Sequence, residues 1–133
     1  MKIIPNGSRP SASAPAHYFT GAVRFDPVIA APDPARHQAL LVTFEPGART
    51  HWHTHPLGQT LRILSGVGRV QVRGEAVRQV GPGDTIWFPP GEEHWHGAAP
   101  DCAMVHLAIQ EALDGETADW LEPVSDSDYG ATP

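Results

Sequence analysis

Glycine and proline cut the stretch from Ala39 to Gln110 into short runs, and this punctuation constrains the fold of the 133-residue chain more than any other feature. Pro46-Gly47, Pro56-Leu57-Gly58, Ser65-Gly66, Gly74-Glu75, Gly81-Pro82-Gly83-Asp84 and Pro89-Pro90-Gly91 are turn sequences, since glycine reaches positive φ without strain and proline presets φ. The runs between them read as strands. Leu40, Val42 and Phe44 share one face of the 39–45 run, with Thr43 and Glu45 on the other, and residues 67–73 alternate in the same way. Nothing through residue 110 sustains a helical period. Many short strands at close spacing predict an all-β, single-domain antiparallel sandwich or barrel, small enough to hold one ligand inside.

Around that barrel the sequence divides into an N-terminal arm at residues 1–16, the barrel at 17–112 and a C-terminal extension at 113–133. Residues 5–16 are rich in Pro, Ser, Gly and Ala and have no period, which predicts an arm that is disordered or laid along a neighbouring surface. His17 to Phe25 reads as a first strand ended by Asp26-Pro27, and residues 31–37 as a proline-studded loop with a solvated His37. Glu111 to Leu121 alone has a helix-compatible composition, and Trp120 and Leu121 are expected to anchor it on the outside of the barrel. A net charge of −6 with no run of Lys or Arg argues against nucleic acid as a partner, and no segment suggests a membrane. Cys102 has no second cysteine to pair with, and no apolar signal segment follows Met1, so a reduced, cytoplasmic setting is expected.

The chemistry concentrates in the histidines between Gly47 and Gly97. On an extended strand, residues two apart point the same way, so His53 and His55 can present two imidazoles to one point. The Pro56-Leu57-Gly58 turn can return the Gln59 amide toward that point, and Pro89-Pro90-Gly91 fixes the approach of His94. Three imidazoles and one neutral oxygen suit a single divalent transition metal with room left for water or substrate. His51 lies at the entrance end and is read as solvated, while His96 is a weaker candidate for a place behind the ligands.

The spacing carries a family resemblance. Gly47, five residues, His53-Thr54-His55, three residues, Gln59, six residues, Gly66 is similar to the first cupin motif, with Gln where the commonest pattern has Glu. Gly83, five residues, Pro89-Pro90-Gly91, two residues, His94 is similar to the second, with Ala98 at the usual terminal Asn. The resemblance implies a double-stranded β-helix barrel with the metal inside its mouth. Longer strings, among them Trp52 to Leu61, His94-Trp95-His96-Gly97-Ala98-Ala99-Pro100 and His106 to Glu111, resemble the small bacterial manganese-dependent cupin hydroxynitrile lyases. That likeness extends to Phe19-Thr20-Gly21 and Ala31-Pro32-Asp33-Pro34 and so covers nearly the whole chain.

Membership of that group implies a cyanohydrin substrate on a metal held by His53, His55, His94 and Gln59, most suitably Mn2+, with Fe2+, Ni2+ or Zn2+ as alternatives. It implies His106 as acid or base and places Leu40, Val42 and Gln110 at the pocket. Binary patterning alone would bury Val105, Leu107 and Ile109 and leave His106 outside; the resemblance turns Met104, His106, Ala108 and Gln110 inward. Phe44, Leu61, Ile63 and Trp95 are expected to complete an apolar wall for an aromatic or otherwise apolar aldehyde. The outward aliphatic residues then favour a homo-oligomer, a dimer or tetramer. Two rivals remain at this level, a metal-dependent oxygenase and a binding module without turnover. A neutral amide in place of a carboxylate tilts against dioxygen chemistry, because it gives less help to higher oxidation states.

Overall fold

The computed structural model describes all 133 residues, Met1–Pro133. In chain order its strands are β1 (Ala12–Ser13), β2 (Phe19–Thr20), β3 (Val23–Ala30), β4 (His37–Phe44), β5 (Arg49–Thr50), β6 (His53–Thr54), β7 (Gln59–Gly66), β8 (Gly68–Val72), β9 (Arg78–Val80), β10 (Thr85–Phe88), β11 (His94–Ala98), β12 (Met104–Glu111) and β13 (Asp119–Trp120), followed by one short helix, α1 (Asp126–Tyr129). All pairings are antiparallel. One sheet runs β1-β3-β4-β12-β7-β10; the other runs β13-β6-β11-β5-β2, with β8 on β11 and β9 on β8.

Side chains that meet between the sheets form the core, and the two-residue period of each strand decides which ones they are. Phe19, Val23, Val42, Phe44, Ala48, Ile63, Ala98 and Met104 make one cluster, and Leu61, Val70, Phe88 and Ala108 a second. In β12, Met104, His106 and Ala108 are buried, whereas Val105 and Leu107 are half-buried and Ile109 is exposed. The strand is central in its sheet, hydrogen-bonded to β4 on one edge and β7 on the other, and the face that carries Met104, His106 and Ala108 is the covered one. Gly97 on β11 faces Arg49 on β5, where a Cβ would meet the Ala48 carbonyl oxygen at 2.4 Å; only glycine lets the strands approach so closely.

Three local expectations change. The N-terminal arm lies along its own barrel: β1 pairs with β3, Ser11 bonds Asp26, and the Arg9 guanidinium donates to the Val28 carbonyl. β3 continues through Asp26-Pro27, because the register shifts between Pro27 and Ile29, and an irregularity of that kind accommodates a residue with no N–H. The 111–121 segment is not helical. Asp114 and Gly115 take positive φ, Leu113 bridges to Glu116, and the chain then adds β13 to β6. Trp120 therefore sits inside the mouth rather than on the barrel's exterior.

The outer face of the second sheet carries its own small core, made of Trp52, Val77, Trp95, Val124 and Tyr129. Trp95 belongs there because it alternates with His94 and His96 on β11; its indole N–H donates to the Gln71 side chain at 2.7 Å. The end of the chain closes this face. Tyr129 Oη donates to the Ala98 carbonyl at 2.7 Å, and the Arg49 guanidinium lies 4.4 Å from the Tyr129 ring centroid while bonding the Val124 carbonyl and Asp126. Tyr129→Phe keeps the packing and leaves a buried carbonyl short of a donor, so it should cost about 1 kcal/mol. Asp126→Asn, at a carboxylate that is 99 % exposed, should cost less than that. Denaturant midpoints of metal-depleted protein compare the two, and an Asp126→Asn loss as large as that of Tyr129→Phe contradicts this ranking.

Candidate metal centre

His53 and His94 are directly opposite each other on β6 and β11, a register that brings their ring centroids to 4.3 Å. His55 follows on the same chain with its centroid 5.0 Å from that of His53. Gly58 adopts φ +79° in the turn after it, its N–H donating to the His55 carbonyl, and thereby delivers Gln59 to the start of β7. A side chain at Gly58 would collide with Trp87, so the turn tolerates nothing larger. The Gly91 N–H donates to the same His55 carbonyl at 3.1 Å, tying the loop before His94 to the loop before Gln59.

Each of these three imidazoles has its Nδ1 fixed by a backbone carbonyl: His53 by His51 at 2.9 Å, His55 by Thr117 at 2.6 Å and His94 by Glu92 at 2.8 Å. A carbonyl can only accept, so Nδ1 carries the proton and Nε2 the lone pair. His55 Nε2 is buried without any partner, and His94 Nε2 lies 3.4 Å from Gln59 Oε1, two acceptors face to face. Lone pairs aimed at one another in a buried site fit a divalent cation between them. Aromatic faces hold the rings from behind, with Phe88 stacked on His94 at 3.7 Å and Trp120 on His53 at 4.6 Å.

Two further imidazoles complete the site. His106, fully buried on the facing sheet, has Nε2 3.0 Å from His96 Nδ1, and its ring packs 5.3 Å from that of Phe44. His106 Nδ1 and His96 Nε2 have no protein partner. One proton occupies the contact between the rings. A neutral pair therefore turns one N–H and one lone pair outward. The ligand nitrogens of His53, His94 and His96 lie within 4.8 Å of one another, so His96 is nearer the centre than its motif position suggested. His55, whose Nδ1 is held by a carbonyl, lies outside that group of three, so the structure offers both His55 and His96 as the third nitrogen donor. His51, read as solvated, is 9 % exposed, and its carbonyl holds His53.

A cavity of about 200 Å³ opens beside these groups. Leu40, Val42 and Gln110 line it, together with Phe19, Phe25 and Trp120. Phe44, Leu61 and Ile63 sit deeper, in the packed core, and Trp95 is on the opposite face of its strand, so these four form no part of the wall. Sequence reasoning missed Thr117 and Trp120, which reach the site only through the β13–β6 pairing. It also read Phe19 only as part of a first strand, whereas the residue lines the cavity.

No Asp or Glu lines the cavity. Burial is the first cause of every histidine shift here: it drives His53 and His96 well below the ordinary value, and His94 and His106 down to about 3. The imidazoles are therefore neutral when no metal is bound. An ordinary His106 titration between pH 5 and 8, the expectation for an unperturbed imidazole, is not what burial allows. Because the folded values lie below the unfolded value of about 6.5, the unfolded chain binds more protons in acid. Stability of metal-free protein should be fully present above about pH 6.5 and lost as pH falls from there through about 3, by up to about 1.4 kcal/mol per pH unit for each histidine concerned. Denaturation of chelated protein from pH 8 to 4 measures this, and a flat profile contradicts it.

Residues 40–109 match the family model described as Cupin domain. The chain is 59 % identical over 129 residues, 97 % of its own length and 98 % of the relative's, to an (R)-mandelonitrile lyase of Granulicella tundricola. A cupin-like protein from Thermotoga maritima superposes with a TM-score of 0.84 at 38 % identity, covering 97 % of this chain and 95 % of that one. A polyketide cyclase from Streptomyces resistomycificus shares the fold, with a TM-score of 0.75, 20 % identity and coverage of 97 % and 90 %. A barrel of two antiparallel sheets, both histidine motifs in register at its mouth and a family match across most of its strands together establish that this chain belongs to the cupin family.

Proposed function

We propose that this cupin is a metal-dependent hydroxynitrile lyase, cleaving cyanohydrins reversibly to an aldehyde or ketone and cyanide. One observation carries the reading: His53, His55, Gln59 and a separate, buried, neutral His106 line one cavity without carboxylates, in a chain 59 % identical to an (R)-mandelonitrile lyase. The ion would be held by His53, His55, His94 and Gln59, with Mn2+ the metal the family likeness implies and Fe2+, Ni2+ or Zn2+ the alternatives. Bound there, a divalent ion supplies Lewis acidity that lowers the pKa of the substrate hydroxyl.

The chain's own groups do the rest. His106, neutral throughout the ordinary pH range, accepts the hydroxyl proton as the C–C bond to cyanide breaks and the carbonyl forms. The contact with His96 leaves His106 a lone pair for this step only in the tautomer whose Nε2–H donates to His96 Nδ1. Phe19, Phe25, Leu40, Val42 and Trp120 wall off water and suit an aromatic or other apolar carbonyl product. The single free cysteine, Cys102, supports a cytoplasmic location. The outer face of the six-stranded sheet exposes Leu64, Trp87 and Ile109, and we assign it to contact with a second copy of the chain.

Cyanide release from mandelonitrile, with and without oxygen, tests the reading directly. The rate should be independent of oxygen and abolished by chelation; oxygen consumption would point to an oxygenase instead. Replacing His53, His55 or His94 by Ala should remove most of the metal, and full occupancy in those variants contradicts the ligand assignment. His106→Ala should keep fold and metal while the rate falls about 10²–10⁴-fold. A metal-replete variant with wild-type turnover ends that role. Light scattering at micromolar concentration should give a mass above the 14.3 kDa of one chain, and a monomer alone rules out the assigned contact.

A further inference from the structure

Gln59 and Gln110 are register partners on β7 and β12, adjacent strands of one sheet. Gln59 Nε2 donates to Gln110 Oε1 at 3.2 Å. This contact leaves Gln59 Oε1 as the end that faces inward, 3.4 Å from His94 Nε2. His94 Nδ1 already donates to the Glu92 carbonyl, so its Nε2 carries a lone pair, and the two facing atoms are both acceptors. Without a cation this is the unfavourable orientation. Turning the amide over would let Gln59 donate to His94 Nε2, but it would also set Gln59 Oε1 against Gln110 Oε1. The two amides are therefore coupled, and a Gln110 that presents Oε1 to Gln59 holds the Gln59 oxygen inward.

We propose that Gln110 is a positioning residue that selects the orientation of the Gln59 amide, making position 59 an oxygen donor to the divalent ion rather than a hydrogen-bond donor to His94. A carboxylate in this place has two equivalent oxygens and needs no such partner, whereas an amide presents oxygen or nitrogen according to what holds its other end. The role goes beyond lining the pocket. It rests on the metal reading given under Proposed function, and it touches neither substrate nor proton transfer.

Three variants test it by metal affinity, read as the competition of chelated protein with an indicator dye for Mn2+ and independent of turnover. Gln110→Met removes the acceptor at similar size and should weaken Mn2+ binding about 10–100-fold, the range for losing a partner that orients a ligand. Gln110→Glu can only accept, so it should bind at least as tightly as wild type. In a Gln59→Glu background there is no amide to orient, and adding Gln110→Met should change the affinity less than about threefold. Should Gln110→Met not fold, Gln110→Ser carries the same expectations. Wild-type affinity in Gln110→Met overturns the proposal, as does equal weakening in the Gln59→Glu background or a Gln110→Glu variant as weak as Gln110→Met. Failure of wild-type protein to bind Mn2+ would remove the metal reading and this inference together. Tight binding without cyanide release would end only the lyase reading.

Discussion

The site depends on imidazole N–H groups donating to backbone carbonyls. His53, His55 and His94 each spend Nδ1 on a main-chain oxygen, and those oxygens belong to three separate segments: the approach to β6, the loop before β11 and the C-terminal strap before β13. A lone imidazole is free to choose its tautomer and ring angle; one tied in this way has neither freedom, and its Nε2 lone pair is aimed before any ion arrives. The strap from residue 113 to 121 thus belongs to the site as much as the histidine motifs do. It supplies the carbonyl of Thr117 and the ring of Trp120, which stacks on both His53 and Tyr18.

Burial is the second half of the same arrangement. Imidazoles in water are easily protonated near neutrality, and clustered cations would repel one another. Desolvation removes that alternative, leaving neutral rings whose unsatisfied lone pairs are costly until something positive sits among them. The surrounding hydrophobic clusters offset that cost by packing, and the close approach at Gly97 keeps the strands tight around the rings. The same desolvation holds His106 neutral on the facing sheet.

Much of this was legible in the sequence. Alternation and turn residues gave the all-β class and most strand positions, and the motif spacing marked out the neighbourhood in which His53 and His94 meet, while the third nitrogen within 4.8 Å of both belongs to His96 rather than His55. Pattern alone misled at β12, because the face that carries His106 is the one turned to the interior, where a buried imidazole partner in His96 receives it, while the aliphatic face is the outer one. Trp95 was drawn toward the pocket by its neighbours His94 and His96, although strand parity points it the opposite way. Trp120 and Thr117 carried no local signal: their place is set by a pairing with β6 more than sixty residues earlier in the chain. His51 looked solvated for a similar reason, since the segments that cover it are distant in sequence.

The amide at position 59 draws these observations together. With no carboxylate in the proposed ligand set and none on the cavity wall, a divalent ion held there would keep its full charge, and the low-dielectric surroundings would strengthen its pull on a substrate oxygen. The same neutrality would withhold the negative charge that stabilises a higher oxidation state, which tilts the proposed ligand set toward acid–base chemistry without barring iron from it. An amide, unlike a carboxylate, has a wrong way round. The residue across the strand at Gln110 is therefore tied to the chemistry by the geometry of one hydrogen bond, and replacing the amide by a carboxylate would at once remove that dependence and shift the balance of reactions the centre can support.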